Sequence, residues 1–357
     1  MLLLTMGDAA GIGPEIITRA FAESPADMEL CVVVGDLATM RRASALVAEH
    51  PRAGQSSGPA WPIALLGDAS EAAKLPPRCI GLLQKCELFL PVPYGLVSAF
   101  AGEAAAQCIA WAARAVLGGE AAGMVTAPIH KEALAACPRW AGFPGHTELL
   151  QAEAAHFLGL PIGAVPVRMM LANHELKVVL VSIHLSLRTA IEALSQDAVL
   201  QTVRITHNAL RASLGRVPRI AVAGLNPHAG EGGLFGTEEK LVILPALDAA
   251  RAEGIDVHGP FAPDTVFMRA RHSASKPGEF DVVVAMYHDQ GLIPVKYLGA
   301  EHGVNVTLGL PLLRTSPDHG TAFDIAGRGV ADPSSMLAAV RMARALVGPA
   351  VSASVGR

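Results

Sequence analysis

The sequence predicts an α/β fold built on a mostly parallel sheet. Residues 281–296, DVVVAMYHDQGLIPVK, open with an apolar run from Val282 to Met286, the composition of a strand buried on both faces of a parallel sheet. Similar apolar runs recur along the chain, and several of them also end in polar side chains. With 357 residues, 51% of them hydrophobic, the chain can bury a large core, so we expect two lobes or one large α/β domain.

Composition and charge argue against several classes of protein. The formal net charge is -4 and no run of Lys or Arg occurs, which argues against a nucleic-acid partner. The N-terminus has a very short apolar run without preceding basic residues, unlike a signal peptide, and no apolar stretch is long enough to predict a membrane span. The five cysteines are odd in number and lack CxxC spacing, which favours reduced thiols in a cytoplasmic protein.

The N-terminal half predicts strands and helices in alternation. Strands are predicted at residues 2–6, 29–35 and 123–128, and helices at residues 37–49 and 98–117. The loop GDAAGIG precedes Pro14 and Glu15, which suit a helix start; this loop can receive an anion or form a tight turn without a ligand. Residues 51–62 are rich in turn-forming residues and predict a surface excursion.

A histidine and a threonine stand where the segment FPGHTE predicts the beginning of a helix. His146 and Thr147 lie at the end of this helix that carries free backbone N–H groups, a position suited to an anionic ligand group. Alternatively, Thr147 only caps the helix and His146 is solvated.

The C-terminal half continues the pattern. A hairpin is predicted at residues 165–184, strands at 219–224 and 255–258, and helices at 187–194, 197–214, 237–252 and 333–347. After the strand that begins at Val282, we expect Gly291 to let the backbone turn before a short apolar segment that leads to Lys296.

Three histidines follow three predicted strands. His184 ends VVLVSIH, His228 follows RIAVAGLNPH, and His288 ends VVVAMYH. One histidine at the end of a strand is more often structural, but in a mostly parallel sheet all three imidazoles would lie at the same edge. Three neutral imidazoles with open positions can hold a catalytic divalent metal, and nitrogen ligands favour Zn, Co, Ni or Mn over Mg.

Other polar side chains in the predicted loops suit an anionic substrate that bears carboxylate or phosphate groups. They are His146, Thr147, Lys296, Asn305 and Arg314. Each cation alone is more often a surface or ion-pair residue. Three carboxylates are candidate partners of the histidines or acid/base groups, and the sequence does not choose among them. They are Asp264, Asp289 and Asp318.

Motifs along nearly the whole chain resemble those of the 4-hydroxythreonine-4-phosphate dehydrogenase family of pyridoxal phosphate biosynthesis. In order they are GDAAGIGPEI, TAPIHKEAL, GHTELL, LNPHAGEGGLFGTEE, GPFAPDTVF, MYHDQGLIPVK and VNVTLGLPLLRTSPDHGTAFDIAG. The resemblance implies the α/β fold of the isocitrate/isopropylmalate dehydrogenase group, with residues 1–357 forming one unit of two interleaved lobes around a central cleft. It also implies a homodimer.

The resemblance implies roles for individual residues. The metal ligands would be His184, His228 and His288, supplied by both subunits. The substrate-binding residues would be His146, Thr147, Lys296, Asn305 and Arg314, and we take Lys296 and Asp264 as the candidate catalytic residues. Two positions in loops that could touch the ligand depart from the usual family motifs. Ala9 replaces the proline of the usual GDPAGIGPE, and Ala127 replaces the glycine of the usual TGPxHK.

The implied reaction is metal-dependent, NAD- or NADP-linked oxidation and decarboxylation of 4-phosphooxy-L-threonine to 3-amino-2-oxopropyl phosphate, with Zn, Co, Mn or Mg as the metal. Dehydrogenases of D-threonate or D-erythronate 4-phosphate are the alternative within the family. A phosphometabolite-binding protein without redox chemistry is a second alternative. A zinc hydrolase built on the same histidines ranks last, because no distinctive general-base glutamate stands beside a ligand.

Overall fold

The computed structural model describes residues 1–52, 58–273 and 275–352. Part of the predicted surface excursion, residues 53–57, lies outside the described residues. The strands are β1 (Leu2–Thr5), β2 (Cys31–Gly35), β3 (Ile63–Leu65), β4 (Ile80–Gln84), β5 (Gly123–Thr126), β6 (Arg168–Ala172), β7 (Lys177–Leu180), β8 (Ile220–Ala223), β9 (Val257–Phe261), β10 (Val282–Ala285), β11 (Val304–Leu308) and β12 (Arg314–Pro317). The α-helices are α1 (Gly13–Glu23), α2 (Leu37–Glu49), α3 (Ala99–Leu117), α4 (Lys131–Ala135), α5 (His146–Leu158), α6 (Leu187–Glu192), α7 (Gln196–Leu214), α8 (Leu244–Ala252), α9 (Val266–Ala270), α10 (His288–Tyr297) and α11 (Ser334–Ser352).

The chain divides into two compact units. Unit 1 comprises Met1–Val165 and Leu310–Arg344, and unit 2 comprises Pro166–Gly309 and the described residues from Ala345. None of the helices in the described ranges has the length and apolarity that a membrane crossing needs.

Unit 1 contains a sheet with the strand order β3-β4-β2-β1-β5-β12. Every pairing in this order is parallel, with Leu4 of β1 between Val33 of β2 and Val125 of β5. The residues of β1, β2 and β5 are all buried, as expected for parallel strands covered on both faces.

Unit 2 contains strands in the order β11-β6-β7-β10-β8-β9. The predicted hairpin is confirmed, because β6 and β7 pair antiparallel around residues 173–176. Strands β7, β10, β8 and β9 pair in parallel, so their carboxyl ends lie at one edge. A buried cluster that includes Val178, Leu180, Val283, Leu292 and Val295 packs α10 onto this sheet.

Most predicted helices are confirmed, and α2 has the predicted bounds. The predicted helix at residues 237–252 contains a π-helical segment, Glu239–Ile243, before α8. The predicted strand at residues 255–258 begins and ends later, as β9.

The prediction that the backbone turns at Gly291 is wrong. Strand β10 ends at Ala285, and α10 begins at His288 and continues through Gly291 to Tyr297. A Cβ at Gly291 would lie 2.5 Å from Leu180 Cδ2 and 2.8 Å from Val178 Cγ1. Glycine is therefore needed here because α10 lies close against β7, and the glycine does not break the helix.

Candidate active site

The three candidate metal ligands follow neighbouring strands of unit 2. His184 follows β7, His228 follows β8, and His288 begins α10 directly after β10. Because β7, β10 and β8 are adjacent and parallel, their carboxyl ends bring the three segments to the same edge of the sheet. The rings of His184 and His288 have centroids 5.9 Å apart. The structure therefore brings two of the three imidazoles together.

The third imidazole has different surroundings. His228 is exposed, and its ring lies 6.0 Å from the ring of Phe235. Within the described residues, no group of three His, Cys, Asp or Glu side chains comes together in a way that could hold a metal ion. One chain thus presents the histidines separately, as a close pair and a single residue.

The loop that carries His228 has a strained backbone. Residues 228–232 have positive φ angles throughout, including φ 53° at both His228 and Ala229 and φ 42° at Glu231. Each non-glycine residue in the left-handed region costs on the order of 1–2 kcal/mol, so the surrounding contacts must impose this conformation.

Glu239 holds the start of this loop. Its carboxylate is 4% exposed and accepts hydrogen bonds from the backbone N–H groups of Leu225 and Asn226, both at 2.7 Å. It also accepts from Asn226 Nδ2 at 2.9 Å. Such bonds to a buried carboxylate are about twice as strong as neutral ones, and they offset part of the strain at His228.

Two cavities of unit 2 border the histidines. The larger, about 690 Å³, is lined by His228 and Asp264 together with Tyr287 and Asp289. The smaller, about 290 Å³, is lined by His184 and His288 and again by Tyr287 and Asp289. Both candidate cavities therefore share the segment that begins α10.

Among the three candidate carboxylates, Asp289 contacts a histidine. Its Oδ1 lies 2.6 Å from His288 Nδ1. This contact fixes the orientation of the ring and leaves Nε2 to face a ligand. Asp264 is exposed and lines the larger cavity, whereas Lys296 is exposed in the last turn of α10 and Asn305 is half-buried on β11.

Arg314 is a buried cation of unit 1. It lies on β12, is 4% exposed, and donates from Nε and Nη2 to Thr126 Oγ1 at 3.0 and 2.7 Å. Burial lowers the pKa of the Arg314 guanidinium to about 10, so it stays charged at neutral pH. Arg314 is the first residue of β12, and its hydrogen bonds to Thr126 bring the charge to the carboxyl end of the parallel strand β5, a position suited to an anion.

His146 lies beside this cation at the beginning of α5. Its Nε2 is buried and has no hydrogen-bond partner among the described residues. Burial, and then the charge of Arg314, lower the pKa of His146 well below its usual value, while a hydrogen bond with the Ala127 backbone acts in the opposite direction. His146 is therefore neutral at physiological pH. Thr147 lies in the first turn of α5, whose N-cap is Gly145 without a side-chain cap, so Thr147 does not cap the helix.

Asp8 and His130, to which the sequence analysis gave no role, lie in loops beside the carboxyl end of β5. Asp8 is 1% exposed, its backbone N–H donates to the Pro128 carbonyl at 2.9 Å, and its Oδ2 has no partner in the described part of the chain. Nδ1 of His130 is also buried without a hydrogen-bond partner among the described residues, and the His130 ring stacks on Phe323 with centroids 4.6 Å apart. Their positions in the motifs GDAAG and TAPIHK, each of which follows a strand, could have indicated a role from the sequence. The departures Ala9 and Ala127 are fully buried in the same loops.

Fold and site together define an α/β protein of two units, with a histidine-bearing sheet edge in unit 2 and a buried cation beside a neutral histidine in unit 1. The chain belongs to the family of pyridoxal phosphate biosynthetic protein PdxA, whose family model matches residues 27–343.

Individual relatives cover nearly the whole chain. A 4-hydroxythreonine-4-phosphate dehydrogenase of Beijerinckia indica is 52% identical over 338 residues, which cover 94% of this chain and 91% of the relative. A D-threonate 4-phosphate dehydrogenase of Pectobacterium atrosepticum is 41% identical over 97% of this chain and 99% of the relative. A crystal structure of 4-hydroxythreonine-4-phosphate dehydrogenase from Klebsiella pneumoniae superposes with a TM-score of 0.83 at 42% identity, covering 97% and 99% of the two chains. The family resemblance and the α/β fold class inferred from the sequence are thereby confirmed.

Proposed function

We propose that the chain is an NAD- or NADP-linked dehydrogenase that oxidises and decarboxylates 4-phosphooxy-L-threonine to 3-amino-2-oxopropyl phosphate. The observation that carries this proposal is the 52% identity, over 94% of this chain, to a relative named for that substrate. The buried Arg314 beside the unpartnered Nε2 of His146 supports it, because the substrate bears both a phosphate and a carboxylate.

The anionic end of the substrate is assigned to unit 1. Arg314 supplies the charge, and the first turn of α5, with His146 and Thr147, supplies backbone N–H groups that have no helical partner. Neutral His146 adds a hydrogen-bonding group without adding a second buried positive charge. This set neutralises and orients a phosphate or carboxylate without an acidic residue among its members.

The metal is assigned to His184, His228 and His288. The fit is supported by the 5.9 Å separation of the His184 and His288 rings and by the contact between Asp289 and His288 Nδ1. When bound, a divalent metal supplies Lewis-acid stabilisation of negative charge on oxygen, and a nicotinamide supplies the hydride acceptor. Asp289 keeps His288 oriented, and Asp264 and Lys296 are the candidate groups that exchange protons or bind substrate nearby.

A homodimer is proposed to complete the metal site. Large apolar side chains around the histidine-bearing segments are exposed: Leu187 is 57%, Leu234 74%, Ile293 64% and Tyr297 90% exposed. Exposed apolar residues in one region indicate a protein interface. A second copy of this chain would cover them and bring its own histidine to the pair, which agrees with the ligand sharing that the family resemblance implies.

Mixing of variants tests this dimer. His184→Ala, His228→Ala and His288→Ala are purified singly and then mixed in pairs after mild denaturation and refolding. If ligands come from two copies, at least one pair recovers metal binding and turnover, because one of its two sites has all three histidines. Failure of every pair, with wild-type protein recovering under the same treatment, would contradict ligand sharing.

The reaction is tested by following reduced-nicotinamide absorbance with 4-phosphooxy-L-threonine and with the D-threonate and D-erythronate 4-phosphates, using NAD and NADP and Zn, Co, Mn or Mg. We expect 4-phosphooxy-L-threonine to give the highest kcat/KM, with release of carbon dioxide. A higher value with D-threonate 4-phosphate would favour the second candidate, which the 41% identity to the Pectobacterium relative supports. No absorbance change with any substrate would contradict a dehydrogenase.

A matched pair of variants tests the anion site. His146→Asn and His156→Asn make the same change at the beginning and near the end of α5, and His156 is exposed. We expect the first variant to raise KM for the phosphorylated substrate by tenfold or more and the second to leave it unchanged. Equal effects would refute the assignment of His146.

The cytoplasmic location expected from the sequence stays a prediction.

A further inference from the structure

The side chain of Arg314 extends along a neighbouring strand to reach the proposed anion site. In the parallel pairing of β12 with β5, Arg314 lies opposite Met124, and β5 ends two residues later at Thr126. Because side chains alternate between the two faces of a sheet, Met124 and Thr126 point to the same face as Arg314. A contact at the far end of the side chain must therefore determine where the guanidinium points.

The hydroxyl group of Thr126 makes that contact. Its Oγ1 accepts hydrogen bonds from Arg314 Nε at 3.0 Å and from Nη2 at 2.7 Å. A guanidinium is a rigid plane that carries five N–H donors, so two bonds along one edge fix the plane and the directions of all its donors. Hydrogen bonds from a charged donor are also stronger than those between neutral groups.

Thr126 itself has a fixed position. It is the last residue of β5, it is 0% exposed, and it lies opposite Thr5 in the parallel pairing with β1. The backbone N–H of Ala127 donates to the Thr5 carbonyl at 3.2 Å, so the chain is still attached to β1 directly after β5 ends. A β-branched side chain has few rotamers in such a strand, and Oγ1 therefore has little freedom to move.

The same short stretch of backbone also holds His146. The backbone of Ala127 makes a hydrogen bond with the His146 ring. Burial, and then the charge of Arg314, lower the pKa of His146, which indicates that the ring and the guanidinium lie close together. Residues 126–127 thus connect both groups of the proposed anion site to one turn of the chain.

We propose that Thr126 is a positioning residue of the anion site, because its hydroxyl oxygen orients the Arg314 guanidinium toward the phosphate group of the substrate. The proposal rests on the anion site of the proposed function. Thr126 is fully buried and acts through Arg314, without touching the ligand itself. A side chain that only stabilised the sheet would change the stability of the protein without a specific effect on phosphate binding.

Three variants separate the hydroxyl group from the shape of the side chain. Thr126→Val keeps the branched shape and removes the acceptor, whereas Thr126→Ser keeps the acceptor and removes the methyl group. The matched control is Thr315→Val. Thr315 is 0% exposed on β12, and its Oγ1 donates to the Ala339 carbonyl at 2.8 Å. This control removes a buried hydroxyl group from the same sheet and leaves the bonds between Arg314 and Thr126 in place.

The measurement is the dissociation constant of inorganic phosphate for the intact chain, obtained by titration calorimetry, together with the thermal midpoint of each variant. Thr126→Val should bind phosphate about tenfold more weakly than the wild type, whereas Thr126→Ser and Thr315→Val should stay within about twofold of it. The comparison with Thr315→Val separates a loss of orientation from a general loss of stability.

Three results would show that the proposal is wrong: unchanged phosphate binding by Thr126→Val, an equal loss in Thr315→Val, or an equal loss in Thr126→Ser. Wild-type protein that does not bind phosphate would instead overturn the anion site of the proposed function. If Thr126→Val does not fold, Thr126→Ala, which also lacks the hydroxyl group, decides the outcome in its place.

Discussion

Gly291→Ala tests the close approach of α10 to β7. The added methyl group would lie 2.5 Å from Leu180 Cδ2, 2.8 Å from Val178 Cγ1 and 3.1 Å from Ala285 Cβ. All three neighbours are fully buried. Such overpacking costs about 1–3 kcal/mol, whereas alanine in a helix gains up to about 1 kcal/mol over glycine. Because two of these contacts would be shorter than 3.0 Å, the cost lies in the upper part of that range, and about 2–3 kcal/mol less about 1 kcal/mol leaves a net loss of about 1–2 kcal/mol in the free energy of unfolding.

Urea unfolding followed by circular dichroism measures this loss as a lower transition midpoint. The control is Gly163→Ala, because a Cβ at Gly163 has no atom within 4 Å, and we expect its stability to stay within about 0.5 kcal/mol of the wild type. Since α10 also carries His288 and Lys296, Gly291→Ala should weaken Zn²⁺ binding as well. A Gly291→Ala protein as stable as the wild type, with unchanged Zn²⁺ affinity, would refute the packing argument.

Three further predictions concern ionisable side chains. Burial alone would raise the pKa of Asp281, but hydrogen bonds from Arg216 and Arg219 outweigh it and hold the pKa well below the usual value. This stabilisation is present above about pH 4 and is lost as pH falls further, so Asp281→Asn should lower the free energy of unfolding by about 1.5–3 kcal/mol at pH 7 and by less at pH 3 in urea titrations. Asp36 caps α2 by accepting from the Thr39 N–H at 2.8 Å, and Asp36→Ala should cost about 1–2 kcal/mol in the same assay. His146 has a lowered pKa, so the unfolded chain binds the extra proton below about pH 6.5, and stability should fall by up to about 1.4 kcal/mol per pH unit there; a His146→Asn protein with an equally steep decline would contradict this.

The sequence was informative where one local pattern decides the structure. The valines of β10 and the apolar runs of β7 and β8 predict buried parallel strands, and the histidines that follow them therefore come to one edge. Gly291 shows where this reasoning fails. A glycine after polar residues is compatible with a turn and with a closely packed helix, and only the distance to Leu180 distinguishes the two.

Other parts of the site depend on contacts between residues far apart in sequence. The buried, unpartnered atoms of Asp8 and His130 result from the meeting of two loops, so neither motif alone reveals them. The start of the loop that carries His228 is likewise held by Glu239, which lies in a later segment. That Asp289 contacts a histidine became clear only from the distance between its Oδ1 and His288 Nδ1.

Strand β12 is synthesised after most of the rest of the chain, although it belongs to the sheet of unit 1. Residues 166–309, the larger segment of unit 2, are encoded between the two segments of unit 1, and Arg314 contacts Thr126 across 188 positions of sequence. On the ribosome, residues 166–309 emerge before β12 exists, so they can fold while the sheet of unit 1 still lacks its last strand. Arg314 is thus the last residue of the proposed anion site to be synthesised. A nascent chain, or a truncated one that ends before β12, lacks that charge however well its earlier strands are folded.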